Sequence, residues 1–365
     1  MGWRCVWGGV LSRARAGSAF RRFADGDVGG RSPMYARVAG ALSESDEALR
    51  VVEAVPARGR RPAVILAALH DLALAGRAPE LAAAYAEGDA DGAARAAVHT
   101  LLRMSDSVVD LAGRRTVRVG ETGRCAVLYP AIAEAAGRAG ADKVGLIDVG
   151  CSAGLNLNVD RVGITYSDGR KLGDPSSPVQ QTCSVVGDRS VPNRVVPEVV
   201  ARVGIDLDPV DVTDADDARW LRACVPPDQR EEAARLDAEM ALLAAEPPEL
   251  LRGDAVEVLP DALGRVPEDA LPVVITTWRL SRFSLESRLR FLHRLSDAAS
   301  ARAVAWLSVE GVGVAPAVPT FGDRRASGHS IIGLALFGHA SLNVESLGRA
   351  WSRGRLLSWV ADPWE

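Results

Sequence analysis

The segment LIDVGCSAGLNLNVD, Leu146 to Asp160, sets the architecture. The apolar run Val144 to Val149 ends at Gly150, and a run of this kind bounded by glycine predicts a short strand buried in a parallel sheet. Gly150-Cys151-Ser152-Ala153-Gly154 then makes a turn, and a helix is expected to begin directly after it. Amide N–H groups left unpaired at a helix start face the C-terminal edge of the sheet. That edge is where doubly wound sheets bind ligands. Gly150 and Gly154 permit close approach of a guest to the backbone. Asp148, two residues before Gly150, is placed to accept hydrogen bonds from a ligand hydroxyl or amine. A cationic ligand carrying a ribose suits this acid.

Beyond this segment, Val273 to Thr277, Ala303 to Val309, Ile331 to Phe337 and Leu356 to Val360 are further apolar runs of strand character. Ser284 to Ala299 lies between two of them, with Leu285, Leu289, Leu292 and Leu295 on one helical face, so β and α segments alternate and a mostly parallel sheet is expected. The last two runs lack a long intervening helix and are expected to form an antiparallel C-terminal edge. Asp168 to Pro178 is turn-rich, and Pro192 and Pro197 interrupt the next stretch, which suggests an insertion at about 168–200. Upstream, Ser32 to Gly140 is helical in pattern. Pro62 opens one apolar helix that Gly76 closes, and Ala94, Ala97, Val98, Leu101 and Leu102 recur at helical spacing in another. His70, His99 and Met104 need no role beyond those helices.

The expected organisation is a disordered tail over 1–20, a helical lid domain over 21–115 and an α/β domain over 116–365. The substrate cleft would lie between the last two, and Gly311 to Ser330 would form a loop over it. The tail assignment rests on a short apolar stretch, Cys5 to Leu11, which Gly8-Gly9 interrupts and arginines follow, without the small-residue site of a secretory leader.

Composition removes several classes of function. The 365 residues are 48% hydrophobic and 25% charged, as in a globular chain and unlike a disordered or collagenous one. Lys+Arg 43 against Asp+Glu 47 gives a net charge of −4, so no global positive field gathers nucleic acid or anionic lipid. No apolar run approaches the roughly 18 residues that a membrane span needs. The five cysteines are scattered without a CxxC pair and the five histidines are dispersed, so no metal site is expected and a reducing cytoplasm is the expected home.

Asp148-Val149-Gly150-Cys151-Ser152-Ala153-Gly154 resembles the first motif of class I S-adenosylmethionine-dependent methyltransferases, an acidic-x-Gly-x-x-x-Gly turn that cradles the cofactor. Val203-Gly204-Ile205-Asp206-Leu207-Asp208 resembles their second strand, whose terminal acid binds the ribose, and Gly253-Asp254-Ala255 resembles the later acid beside the adenine. Asp168 competes with Asp206 for the ribose, being nearer the spacing of about 20 residues that dinucleotide enzymes use. The chain after about residue 20 also resembles an actinobacterial family of unknown function. That resemblance rests on Ser32-Pro33-Met34-Tyr35, Glu121-Thr122-Gly123-Arg124-Cys125, Cys151 to Leu157, Arg202 to Leu207, Arg219 to Ala223 and Arg252 to Ala255. The resemblance implies a Rossmann-like, methyltransferase-type sheet, S-adenosylmethionine as cofactor and a small-molecule substrate. On it, Arg124, Asp148, Gly150, Ser152, Gly154, Asn156, Asp206, Asp254 and Thr276 are the candidate cofactor-binding residues. Arg124, with Glu121 nearby, is the candidate for the cofactor carboxylate. Thr276, Thr277 and Trp278 end a strand, and Glu310, after VAWLSV, is the candidate catalytic base.

The same turn also reads Gly-x-Ser-x-Gly between a strand and a helix, as in a hydrolase nucleophile elbow. Ser152 would then be the nucleophile, with Asp254 and His329 or His339 completing a triad in chain order. Against this, a carboxylate at Asp148 roughly 6 Å from a developing oxyanion costs about 2 to 3 kcal/mol at an effective dielectric of about 20. A non-catalytic ligand-binding scaffold is the third possibility.

Overall fold

Proline and short polar side chains begin most of the helices. The computed structural model describes residues 3–26, 32–118, 122–338 and 341–362, and the chain divides into two compact units, Met1–Val119 with Thr213–Asp237 and Gly120–Val212 with Ala238–Glu365. The first unit holds α1 (Trp3–Asp25), α2 (Pro33–Glu44), α3 (Asp46–Ala54), α4 (Pro62–Leu74), α5 (Pro79–Glu87), α6 (Ala90–Arg103) and α7 (Ser105–Arg114). Pro33, Pro62 and Pro79 occupy first-turn positions, where a missing N–H costs nothing. The hydroxyls of Ser32 and Ser45 and the carboxylate of Asp89 accept the orphan amides of α2, α3 and α6. Residues 3–25 are helical where a tail was expected, and Phe20 is fully buried, so this apolar side chain anchors the segment. In α4 every residue from Val64 to Ala73 is buried. Burial holds His70 at a pKa of about 4, a neutral core histidine against the Ala223 carbonyl.

The segment 213–237, placed by the sequence with the α/β region, belongs to this helical unit. Its helix α9 (Ala215–Ala223) buries Trp220, whose Nε1 donates to the Thr116 carbonyl at 2.9 Å, and Arg219 pairs with Asp71 at 3.1 Å. Asp228 accepts from Ser32 Oγ at 2.6 Å and from the Met34 amide at 3.1 Å.

The second unit is built on one eleven-stranded, mostly parallel sheet with the spatial order β3-β2-β4-β11-β10-β9-β8-β7-β1-β5-β6. The strands are β1 (Lys143–Val149), β2 (Gly163–Tyr166), β3 (Lys171–Gly173), β4 (Gln180–Val185), β5 (Glu198–Asp206), β6 (Glu249–Arg252), β7 (Leu271–Thr277), β8 (Val304–Gly311), β9 (Ser330–Phe337), β10 (Leu342–Trp351) and β11 (Leu356–Trp359). β6, β5, β1, β7 and β8 are mutually parallel, and the chain order reverses direction between β1 and β7. Helix α8 (Cys125–Ala139) covers one face with Leu146, Val273, Ile275 and Leu307. Helices α11 (Ala255–Leu263) and α12 (Leu285–Ala298) cover the other with Ile147, Val149, Val274 and Trp306. Helix α10 (Arg230–Ala245) contributes residues to both units.

Three sequence expectations change here. The stretch 163–185, within and before the expected insertion, adds β2, β3 and β4 to the sheet through a parallel β4–β11 pairing. The antiparallel C-terminal strands are therefore interior to the sheet and not its edge. Residues 342–351, the stretch between the last two apolar runs, form a ten-residue strand paired with both β9 and β11. A bulge between Ser346 and Gly348 breaks the alternation that would have announced it. Only glycine fits at 348, because a Cβ there would run into the Ser358 carbonyl. In α12 the face that packs carries Phe291, Leu292 and Leu295, while Leu285 and Leu289 are 67% and 54% exposed.

Candidate functional site

The glycine turn sits at the C-terminal end of β1, at the point where the strand order reverses. Gly150 (φ +76°) and Gly154 (φ +87°) both take left-handed backbone, and so does Ser152 (φ +56°), where a side chain carries strain of about 1 to 2 kcal/mol. The amides expected to face a ligand are engaged within the protein. Those of Gly150 and Cys151 donate to the Ile205 carbonyl of β5 at 2.7 and 3.1 Å, and that of Ser152 donates to Asp206 Oδ2 at 3.2 Å. The helix expected after the turn is a 3-10 run, Leu155–Arg161, kinked at Asn158, so no α-helix starts directly after this turn. With these amides paired and no full macrodipole, the turn offers little to a diphosphate. Its chemistry is carried by side chains instead.

Asp206 ends β5 and is buried. Besides the Ser152 amide at Oδ2, its Oδ1 accepts from the Asp208 amide at 3.0 Å. One strand outward, Arg252 pairs in register with Asp206, and Gly253 and Asp254 follow. Asp254 is exposed and caps α11, with Oδ1 accepting the Val256 amide at 2.9 Å. Asp148 is buried on the α8 face and accepts from Asn156 Nδ2 at 2.9 Å, so these two candidates meet. Arg202 forks onto Asp160 at 2.7 and 2.8 Å and fastens the 3-10 run to β5. The rival acid Asp168 lies in the β2–β3 turn near the far margin of the sheet, with Oδ1 accepting the Arg170 amide at 3.1 Å.

The end of β7 brings a second group together. Arg124, at the start of α8, donates to Thr277 Oγ1 at 3.0 Å and lies 5.2 Å from the centre of the Trp278 ring. Trp278 has φ +53° and donates from Nε1 to Ser330 Oγ at 2.7 Å. The Arg279 side chain rests on the glycine turn: a Cβ on Gly150 would run into its Cδ and Nε, and its Nη2 is 3.9 Å from Asp206 Oδ2. Thr276 faces the other way, fully buried, accepting from Trp306 Nε1 at 3.1 Å. Glu310 is on that same face. Its Oε1 accepts the amides of Arg279 and Leu280 at 2.8 and 2.9 Å, and its Oε2 has no hydrogen-bond partner among the described residues. Burial raises its pKa to about 7 against the lowering effect of those amides and of Arg288. Period-two alternation thus splits the candidates, with Asp148, Thr277 and Arg124 on the α8 side and Thr276 and Glu310 on the other.

A family model covers residues 17–359 of this chain. The chain belongs to the DUF2332 family, uncharacterized proteins conserved in bacteria. No curated protein matches it.

Among the described residues of this DUF2332 member, Ser152, Asp254 and His329 are not hydrogen-bonded into a triad. Ser152 Oγ is buried without a hydrogen-bond partner among the described residues, and Asp254 is a helix cap. His329 Nε2 is 2.8 Å from Asp323, which Arg349 also holds, at 2.6 and 3.1 Å. His339 and Glu121 lie outside the described residues. The contributors that the sequence did not single out are Arg279 and Asp323. Arg279 had one available signal, its place two residues past the end of β7. Asp323 had none, because its partners His329 and Arg349 are brought to it by the β9–β10 pairing.

Proposed function

We propose that this protein is an S-adenosylmethionine-dependent methyltransferase that acts on a small molecule. The observation that carries this is the placing of two acids, Asp206 and Asp254, at the ends of adjacent strands beside a left-handed glycine turn whose Gly150, Cys151, Ser152 and Gly154 amides are paired within the protein. A nucleotide with a diphosphate needs free amides or a helix N-terminus at such a turn, whereas a nucleoside without phosphates needs acceptors for its ribose hydroxyls and its base. The β6-β5-β1-β7-β8 order supports a Rossmann-like reading of the sheet, with the site at its switch point. The residues present therefore fit the cofactor in kind. Asp206 would take the ribose diol, Asp254 the base, and Arg124, held at the end of β7, the carboxylate. The bound sulfonium supplies an activated methyl group. The protein's share is to hold the acceptor in line, which leaves few residues with a chemical step of their own. Glu310 anchors the 279–280 amides and so shapes the turn beside the site. The buried free cysteines Cys125, Cys151, Cys183 and Cys224 suit a reducing cytoplasm. Among the described residues no helix is long and apolar enough to cross a membrane.

Calorimetric titration with S-adenosylmethionine and S-adenosylhomocysteine tests the proposal. Saturable one-to-one binding of both is expected, and no heat from either at millimolar ligand overturns it.

A further inference from the structure

We infer that Arg279 is a displaceable plug of this site that becomes a ligand-binding residue, so that the site selects a nucleoside bearing an anionic group. This rests on the nucleoside reading above. The stem of Arg279 occupies the niche that Gly150 opens, since Cγ, Cδ and Nε all lie where a Cβ on that glycine would project. A guest that fills this niche has to displace this side chain. Yet the side chain is poorly held. Nη2 stands 3.9 Å from Asp206 Oδ2, beyond the roughly 2.7–2.9 Å of a charge-assisted hydrogen bond. Nε is buried and has no hydrogen-bond partner among the described residues, which is a cost to the arrangement. The preceding residue, Trp278, sits in left-handed backbone that bulky side chains rarely adopt.

These features describe a side chain poised to move, on a backbone that is fixed. Glu310 clamps the amides of Arg279 and Leu280, and Trp278 Nε1 holds Ser330 Oγ, so the pivot of Arg279 stays in place while its guanidinium swings. A diol that bonds to Asp206 removes the charge partner of the plug. An anionic oxygen on the same ligand then gives the planar guanidinium the partner it lacks, so that Arg279 and Arg124 share the ligand's carboxylate. S-Adenosylhomocysteine carries both the diol and a carboxylate, and adenosine carries only the diol.

The test is calorimetry of wild type, Arg279→Ala and Arg279→Met with S-adenosylhomocysteine and with adenosine. Arg279→Ala removes plug and charge together. It is expected to bind adenosine about tenfold more tightly than wild type and to lose about tenfold or more of the preference for S-adenosylhomocysteine. Arg279→Met keeps a stem over Gly150 and drops the charge, so its adenosine affinity should stay at the wild-type level while the preference falls. If both ligands bind all three proteins with unchanged affinities, the plug is refuted and the nucleoside site stands. If neither ligand binds any of the three, both fall.

Discussion

Replacing Glu310 by glutamine gives the sharpest physical prediction. Glu310 is 1% exposed and its pKa is raised from 4.5 to about 7, chiefly by burial. In the unfolded chain the carboxyl returns to its ordinary value, so between these two pH values the folded state binds more protons than the unfolded one. Its contribution is therefore fully present below the ordinary value and is lost as pH climbs through 7. At 1.36 kcal/mol per pH unit the loss amounts to about 3 kcal/mol. Glu310→Gln stays neutral at every pH, and its Oε1 still accepts from the amides of Arg279 and Leu280. Urea unfolding of both proteins from pH 5 to 8.5, taken as a difference, cancels every other titrating group. The variant should match wild type near pH 5 and exceed it by about 2 to 3 kcal/mol near pH 8.5. Parallel profiles, or a wild type that gains on the variant as pH rises, would refute the claim that burial dominates this carboxyl.

Other substitutions separate local terms. Ser152→Gly removes left-handed strain and a buried unpaired hydroxyl, so it should raise stability by up to about 1 kcal/mol in urea unfolding, and a fluorophosphonate should label neither protein. Asp254→Ala deletes the α11 cap and should cost about 1 kcal/mol, measured the same way. On α12, Leu289→Gln should change stability by less than about 0.5 kcal/mol because the side chain is exposed, whereas Leu295→Ala should cost about 2 to 5 kcal/mol.

The parallel core was legible because its strands are short apolar runs bounded by glycine, and β1, β7, β8 and β9 were all read near their places. β10 was missed because the bulge at Ser346–Gly348 interrupts its alternation, and the inward face of α12 was right only at Leu292 and Leu295. Of its four leucines at three- and four-residue spacing only Leu292 and Leu295 pack, beside Phe291, and linear spacing carries no record of which face meets the sheet. The return of residues 213–237 to the helical unit depends on contacts such as Trp220 with Thr116 and Asp228 with Ser32, between residues about a hundred or more positions apart. In the site, the acids at strand ends were visible as residue types. Their partners were not. Asp148 and Asn156 are close in the chain, but Arg279 over Gly150 and Glu310 under the 279–280 amides arise only when β1, β7 and β8 lie side by side.

Hydrogen–deuterium exchange with and without saturating S-adenosylhomocysteine locates the guest. Slowed exchange confined to peptides spanning 148–156, 204–208 and 278–282 is the expected result. Protection elsewhere with these three segments unchanged would contradict a nucleoside seat at the end of β1.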